Sequence, residues 1–163
     1  MSTKKTILLL FGGKSVEHEI SVRSAKNVFE NIDKSRFEIL LAGIDKNGVW
    51  YENSEVGQLI NRGDKVSVVP SVDRPALLNL NTHEIKYFDI VFPVLHGTDG
   101  EDGGIQGIFK SYNVPLVGCN VLGSAISMDK IISKKILKGS EIPVADFLYF
   151  TKSEKEKYTY AAV

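Results

Sequence analysis

The 163-residue chain is short of several things at once. It has one cysteine, Cys119, so no disulfide can form within it, which fits a reducing compartment. It has no surplus of either charge: 20 Lys+Arg stand against 20 Asp+Glu, and neither end of the chain forms a basic tail. A nucleic-acid binder needs surplus cations to displace counterions from phosphates, so that class is disfavoured. The apolar run near the N-terminus, Ile7 to Phe11, is too short for the core of a secretory signal. No run approaches the ~20 apolar residues of a membrane-spanning helix. These absences lead to the expectation of a cytoplasmic protein with neither nucleic acid nor membrane as partner. Internal repeats and low-complexity stretches are also lacking. What is present suffices for a core: 43% of residues are hydrophobic and 25% charged, close to the globular average. The length fits one domain, or one and part of a second.

The apolar residues are grouped in a recurring order. Ile7-Leu8-Leu9-Leu10-Phe11 is continuous and stops at Gly12-Gly13, as in a strand buried on both faces. A helix is expected next, with Ser21 as its N-cap and Val22, Ala25, Val28, Phe29 and Ile32 on one side. Phe37–Ile44 reads as a second strand, completing a βαβ unit. Lys46-Asn47-Gly48 signals a hairpin into Val49-Trp50-Tyr51. Glu55 to Asn61 reads as a short helix, and residues 63–88 as edge strands or a decorated insertion. Asp89 to Leu95 is another buried-type strand, with Pro93 placing it near an edge or bulge. A helix carrying Ile105, Ile108, Phe109 and Tyr112, a short strand at Pro115-Leu116-Val117, and two further helices follow. The second of these is expected to end at Gly139 as C-cap, and Ala145–Phe150 is read as a last strand. The plan predicts an α/β fold, a doubly wound and mostly parallel sheet over residues 1–125. In such sheets ligands bind beyond the carboxyl ends of the strands, where loops 12–20 and 96–104 lie.

Both loops carry residues suited to chemistry. Gly12-Gly13-Lys14-Ser15-Val16-Glu17-His18-Glu19 lacks the spacing of a phosphate-cradling P-loop and of the dinucleotide-binding glycine pattern. Glu17 is a loop carboxylate suited to a substrate ammonium group. It, or Glu19, could equally serve the positive end of the helix that follows. His96 to Gly104 packs four glycines and three carboxylates, Asp99, Glu101 and Asp102, into nine residues. A calcium loop would need further ligands that are missing, so no metal site is assigned. The loop reads either as a glycine-rich turn with helix-capping acids or as a binding loop, and His96 either as structural or as functional. Lys130, Lys134 and Lys138 recur every four residues, as on a solvated helix face or as a set from which Lys130 reaches an anion.

Taken together and in order, three segments resemble the D-alanine–D-alanine ligase family of the ATP-grasp superfamily. They are Phe11-Gly12-Gly13-Lys14-Ser15-Val16-Glu17-His18-Glu19-Ile20-Ser21, then Leu95-His96-Gly97 with Gly100-Glu101-Asp102-Gly103, then Ser127-Met128-Asp129-Lys130. The resemblance implies a Rossmann-like N-terminal substrate-binding domain over residues 1–125 and the beginning of a central ATP-grasp domain over 126–163. It implies that Glu17 engages the amino group of the first D-alanine and that His96 lies near the same subsite. Ser21, Gly97, Gly100, Glu101, Asp102 and Gly103 would shape that end of the site, and Lys130 would contact ATP phosphates. The reaction so implied activates one D-alanine as an acyl phosphate at the expense of ATP, with Mg²⁺ neutralising charge, and a second D-alanine displaces phosphate to give the dipeptide used for peptidoglycan.

Members of the family run to about twice this length. The resemblance therefore also implies that most ATP and Mg²⁺ ligands lie outside these 163 residues and that the chain alone is inactive. It further implies a homodimer formed through the N-terminal domain. The alternative reading is a non-catalytic module for a small amino acid, or one subunit of a split ATP-grasp ligase. The choice among D-alanine, D-lactate and D-serine as second substrate is not encoded here.

Overall fold

The computed structural model describes residues 4–57, 59–70 and 74–157, which divide into two compact units on either side of the Met128–Asp129 junction. The first unit contains strands β1 (Lys5–Gly12), β2 (Phe37–Ile44), β3 (Trp50–Asn53), β4 (Asp64–Val69), β5 (Ala76–Asn79), β6 (Ile85–Tyr87) and β7 (Ile90–Pro93). Its helices are α1 (His18–Asn31), α2 (Gly104–Ser111) and α3 (Val121–Met128). The strands form one sheet in the order β6-β5-β4-β3-β2-β1-β7.

β1 runs parallel to β2 on one side and to β7 on the other. It is buried on both faces, which is why its sequence is continuously apolar rather than alternating. Leu8 and Leu10 pack with Ala42, Ile44, Val91 and, from α2, Ile105 and Phe109. Leu9 and Phe11 face the other way, onto Val22 and Ala25 of α1, with Leu41, Val56 and Ile60. Helices therefore cover both faces of this part of the sheet, as a doubly wound plan requires. Pro93 closes β7, the last strand in the order, where its missing N–H costs no interior ladder bond.

Beyond β2 the sheet changes character. β2–β3, β3–β4, β4–β5 and β5–β6 all pair antiparallel. The sheet is thus mixed, and the expectation of a mostly parallel one is corrected. Parallel neighbours need a crossover of about a dozen residues or more, whereas these strands are joined by short turns such as Lys46-Asn47-Gly48.

Smaller corrections follow the same logic of partners. The short helix expected over Glu55–Asn61 is a single 3₁₀ turn, Ile60–Arg62 (residue 58 lies outside the described residues). Pro115-Leu116-Val117 forms one parallel bridge, Leu116 to Val91, rather than a strand. In the second unit, α4 (Lys130–Gly139) is capped by the Asp129 carboxylate, which accepts the N–H groups of Ile131 and Ile132, both at 2.9 Å. Gly139 is its last residue and Ser140 its C-cap, so the glycine is not used for a left-handed stop. Ala145–Phe150 is not paired as a strand. Among the described residues no helix is long and apolar enough to cross a membrane.

Candidate binding site

The site is built at the carboxyl ends of β1 and β7. Gly12 has φ +88°, and a Cβ there would stand 2.2 Å from the Ile44 carbonyl oxygen, so only glycine lets the chain leave β1 in this direction. The Gly13 N–H donates to that same carbonyl at 2.7 Å. Three side chains then fix the turn. The buried His18 ring donates from Nδ1 to the Gly13 carbonyl at 2.7 Å, a carbonyl being able only to accept. The Ser21 hydroxyl accepts the Gly12 N–H at 2.8 Å and donates to the Val94 carbonyl. The Ser15 hydroxyl donates to the His96 carbonyl at 2.7 Å and accepts the Glu17 N–H at 3.1 Å. The turn after β1 is thereby tied twice to the segment after β7.

This arrangement corrects the reading of Ser21. α1 begins at His18, one turn earlier than expected, and Ser21 lies inside it with no exposed surface. Its hydroxyl is engaged with backbone on both sides, so it holds the frame and does not cap the helix.

Glu17 stands at the N-cap position of α1, but its side chain makes no capping bond. The carboxylate is exposed and has no hydrogen bond or ion pair to the described residues. Its Oε2 lies 2.7 Å from the point that a Cβ on Gly97 would occupy, and Gly97 has φ +73°, so glycine is required there on both counts. The helix-terminus role falls instead to Glu19, in the first turn, whose Oε1 accepts a bond from Lys46 Nζ at 2.6 Å. That ammonium holds the Glu19 carboxyl below its ordinary value.

His96 is partly exposed. Its Nε2 lies 3.3 Å from the Ser24 hydroxyl and its Nδ1 3.8 Å from Glu101 Oε1, while the other Glu101 oxygen accepts the Gly97 N–H at 2.8 Å. Gly97 thus has the Glu17 carboxylate against its Cα and the Glu101 carboxylate on its N–H. Two carboxylates converge beside one imidazole, a field that favours a cation.

The remaining predicted residues frame the loop. Asp102 accepts the Asp99 N–H at 2.8 Å and the Gly104 N–H at 3.0 Å, one on each oxygen. The Asp99 bond, above all, holds its carboxyl below the ordinary value, against the opposing effect of partial burial. A Cβ on Gly100 would stand 2.6 Å from that of Leu95, and Gly103, at φ +102°, lies against the Val121 carbonyl. Asp102, Gly100 and Gly103 thus shape the loop. Sequence reasoning gave no individual role to Ser15 and His18, because a serine or histidine bound to a distant carbonyl leaves no spacing signal. It also missed the ion pair between Lys14 and Asp99, 2.9 Å apart, which joins the same two loops at the surface.

A cavity of about 350 Å³ opens next to these loops, walled by Gly13, His96 and Gly100 and floored by Trp50, Leu95 and Ile105. The free Glu17 carboxylate lies outside its lining. The carboxylate pair is the better guide to chemistry, since the one carboxylate lining the hollow, Asp99, is already paired with Lys14. Lys130 is exposed, at the first position of α4, in the other unit. Among the described residues no group of three or more His, Cys, Asp or Glu could hold a metal ion.

The partly parallel α/β sheet thus gathers, in the loops at its strand ends, an imidazole and a carboxylate that has no partner among the described residues. Comparison with known proteins makes this specific. A sequence profile of the D-ala D-ala ligase N-terminus matches residues 6–119, and the chain belongs to that family. A D-alanine–D-alanine ligase of Shouchella clausii is 44% identical, over 98% of this chain and 47% of its own length. The crystal structure of the VanG D-Ala:D-Ser ligase from Enterococcus faecalis is 36% identical with a TM-score of 0.77, covering 95% of this chain and 47% of that one. A Bacillus anthracis D-alanine–D-alanine ligase complexed with ATP is 28% identical with a TM-score of 0.61, covering 96% of this chain and 43% of that one. The chain thus spans about half the length of the relatives it matches.

Proposed function

We propose that this chain supplies the amine-recognising part of an ATP-dependent D-alanine–D-alanine ligase. The observation that carries the reading is the Glu17 carboxylate, exposed, without a partner among the described residues and set against Gly97 next to His96. Glu17 receives the ammonium group of the first D-alanine. Glu101, fixed by the Gly97 N–H, adds negative potential from the other side, and His96 borders the same subsite. Ser15, Ser21 and His18 keep the two loops in register, so the ammonium meets a preformed pair of acids.

In this reading the product is the D-alanyl-D-alanine of peptidoglycan and the setting is the cytoplasm. Residues 1–125 form the substrate-binding domain, and residues from 126 onward belong to the ATP-binding domain. Lys130 offers one cation to ATP phosphates, placed by a helix N-terminus that Asp129 caps. Support for ATP comes from the relatives, one of which carries it. The described residues do not fit Mg²⁺, for which they provide no ligand set. The dimer rests on the family resemblance alone. The second substrate stays open, because one relative is a D-Ala:D-Ser ligase.

The test is a titration of isotope-labelled chain with D-alanine, followed by NMR. Binding in the millimolar range, typical of a fragment-sized ligand, is expected, with shifts confined to residues 15–17 and 96–101. D-lactate, which lacks the ammonium, is expected to leave them unmoved, and Glu17→Gln to abolish the response. Equal shifts with D-lactate would refute the assignment. The chain alone is expected to show no D-alanine-dependent ATP hydrolysis.

A further inference from the structure

Gln106, the third residue of α2, is 8% exposed, and only half of its side-chain amide is used. Its Nε2 donates to the Gly100 carbonyl at 2.9 Å. Its Oε1 is buried without a hydrogen-bond partner, the only such side-chain atom among the described residues. A buried amide oxygen in that state has lost its water without a replacement, and native structures rarely leave one so. Gly100 borders the cavity described above, whereas Gln106 borders a different hollow of about 450 Å³ between α2 and the segment 113–121. With the nitrogen held by Gly100, the oxygen is the end of the amide left for that second hollow.

No acidic side chain stands on the walls of this hollow. Lys110 supplies a cation, exposed and with no hydrogen bond or ion pair from its ammonium to the described residues. The carbonyls at the end of α2 do not offset it, since those of Ile108, Phe109 and Lys110 accept the N–H groups of Tyr112, Val114 and Asn113. α3 begins on the same wall at Val121, and the first-turn N–H groups of a helix favour an anion. Val114 and Leu116 add apolar surface. We propose that this hollow is a second binding site, for a small organic acid that bears a hydroxyl group on an apolar body. The carboxylate pairs with Lys110, and the hydroxyl donates to Gln106 Oε1. The volume suits a body larger than that of D-alanine or D-lactate, so the site differs in specificity from the one around Glu17 and does not depend on the role given there.

Cys119, exposed on the wall of the hollow and the single cysteine of the chain, reports occupancy directly. The experiment follows its alkylation by iodoacetamide in the 163-residue chain with one of three probes: 3-phenyllactate, 3-phenylpropionate, which lacks the hydroxyl, or 3-phenyllactamide, which lacks the charge. At millimolar concentration 3-phenyllactate is expected to slow alkylation about fivefold or more, and to shift the NMR signals of the Gln106 side-chain amide while leaving residues 15–17 unmoved. Each of the other two probes is expected to bind about fivefold more weakly. Gln106→Met should bring 3-phenyllactate down to the level of 3-phenylpropionate. Lys110→Gln, at an exposed position, should bring it down to the level of the amide, and decides alone if the buried change unfolds the chain. No protection by any probe, which means that water alone fills the hollow, would overturn the inference. So would equal protection by all three, protection that survives Lys110→Gln, or a thiol already shielded by a second copy of the chain in the absence of probe. D-alanine shifts at 15–17 beside an empty hollow would leave the proposed function standing while this site falls.

Discussion

The two halves of the sheet solve the problem of burial differently. β2-β1-β7 is parallel, sandwiched between α1 and α2, and its central strand is apolar from Ile7 to Phe11. The ribbon β3 to β6 is antiparallel, half-exposed, and held partly by polar pairs such as Lys86 with Glu52, 2.7 Å apart. Only the first half carries the candidate site. Parallel strands end side by side, so the loops leaving β1 and β7 emerge together, whereas antiparallel turns are shared between the two ends. The ribbon extends the sheet and lends Trp50 to the floor of the adjoining cavity.

That contrast can be broken or sharpened by substitution. The largest effect is expected in the sandwiched half: Phe109→Ala, at a fully buried site, should lose about 3–5 kcal/mol in chemical denaturation. At the ribbon's outer edge Ile85→Ala, half exposed, should lose under about 1 kcal/mol. Equal losses would erase the distinction. Next comes Gly12→Ala, which combines a left-handed backbone with a collision against the Ile44 carbonyl. It should destabilise by about 2 kcal/mol or more and disturb the NMR signals of residues 13–18. Ser15→Ala removes a hydroxyl that bridges two loops and should cost about 1 kcal/mol. Resonances near Glu17 and His96 should move together, since one hydroxyl serves both.

The two halves should also differ in their response to pH. Lys86 has its pKa raised, chiefly by its hydrogen bond to Glu52, so its contribution is complete below the ordinary lysine value, about 10.4, and fades as pH rises through the folded-state value. Asp102 in the loop and Asp64 in the ribbon, the latter bonded by Asn79 and Asn81 amides, are both lowered. Their contributions are complete above the ordinary carboxylate value, about 3.9, and are lost as pH falls through the lower folded-state value. Acid should therefore loosen both halves and alkali the ribbon first, as hydrogen exchange at residues 52 and 86 against residues 99–104 would reveal. The smallest stability change belongs to Glu17→Gln, within about 0.5 kcal/mol because the carboxylate has no partner to lose. A larger loss would mean that Glu17 is part of the frame.

Legibility followed the same division. The runs Ile7–Phe11, Phe37–Ile44 and Asp89–Leu95 announced the parallel half, the first of them unbroken because β1 is buried on both faces. The ribbon was visible only as short apolar pieces between turns, because strands of three to six residues with one open face carry little periodicity. Ala145–Phe150 reads as a strand from composition, but a strand requires a neighbour and none is present among the described residues. At the site, glycines and carboxylates marked the two loops that the structure ties together. They did not distinguish Glu17 from Glu19, or Asp102 from Glu101, since the choice is made by what each carboxylate meets across space.

By itself the sequence determined which stretches must be buried, where the chain must turn at glycine, and which acidic and imidazole side chains stand near those turns. Apolar area and backbone sterics are local properties of the residues concerned. Only the tertiary structure decided that Ser15 and Ser21 would close their hydrogen bonds on β7's continuation, that Lys46 would take Glu19, and that Glu17 would be left without a partner among the described residues. Hydrogen bonds and ion pairs are short-ranged and directional, so their partners are fixed by the folding of distant segments against one another.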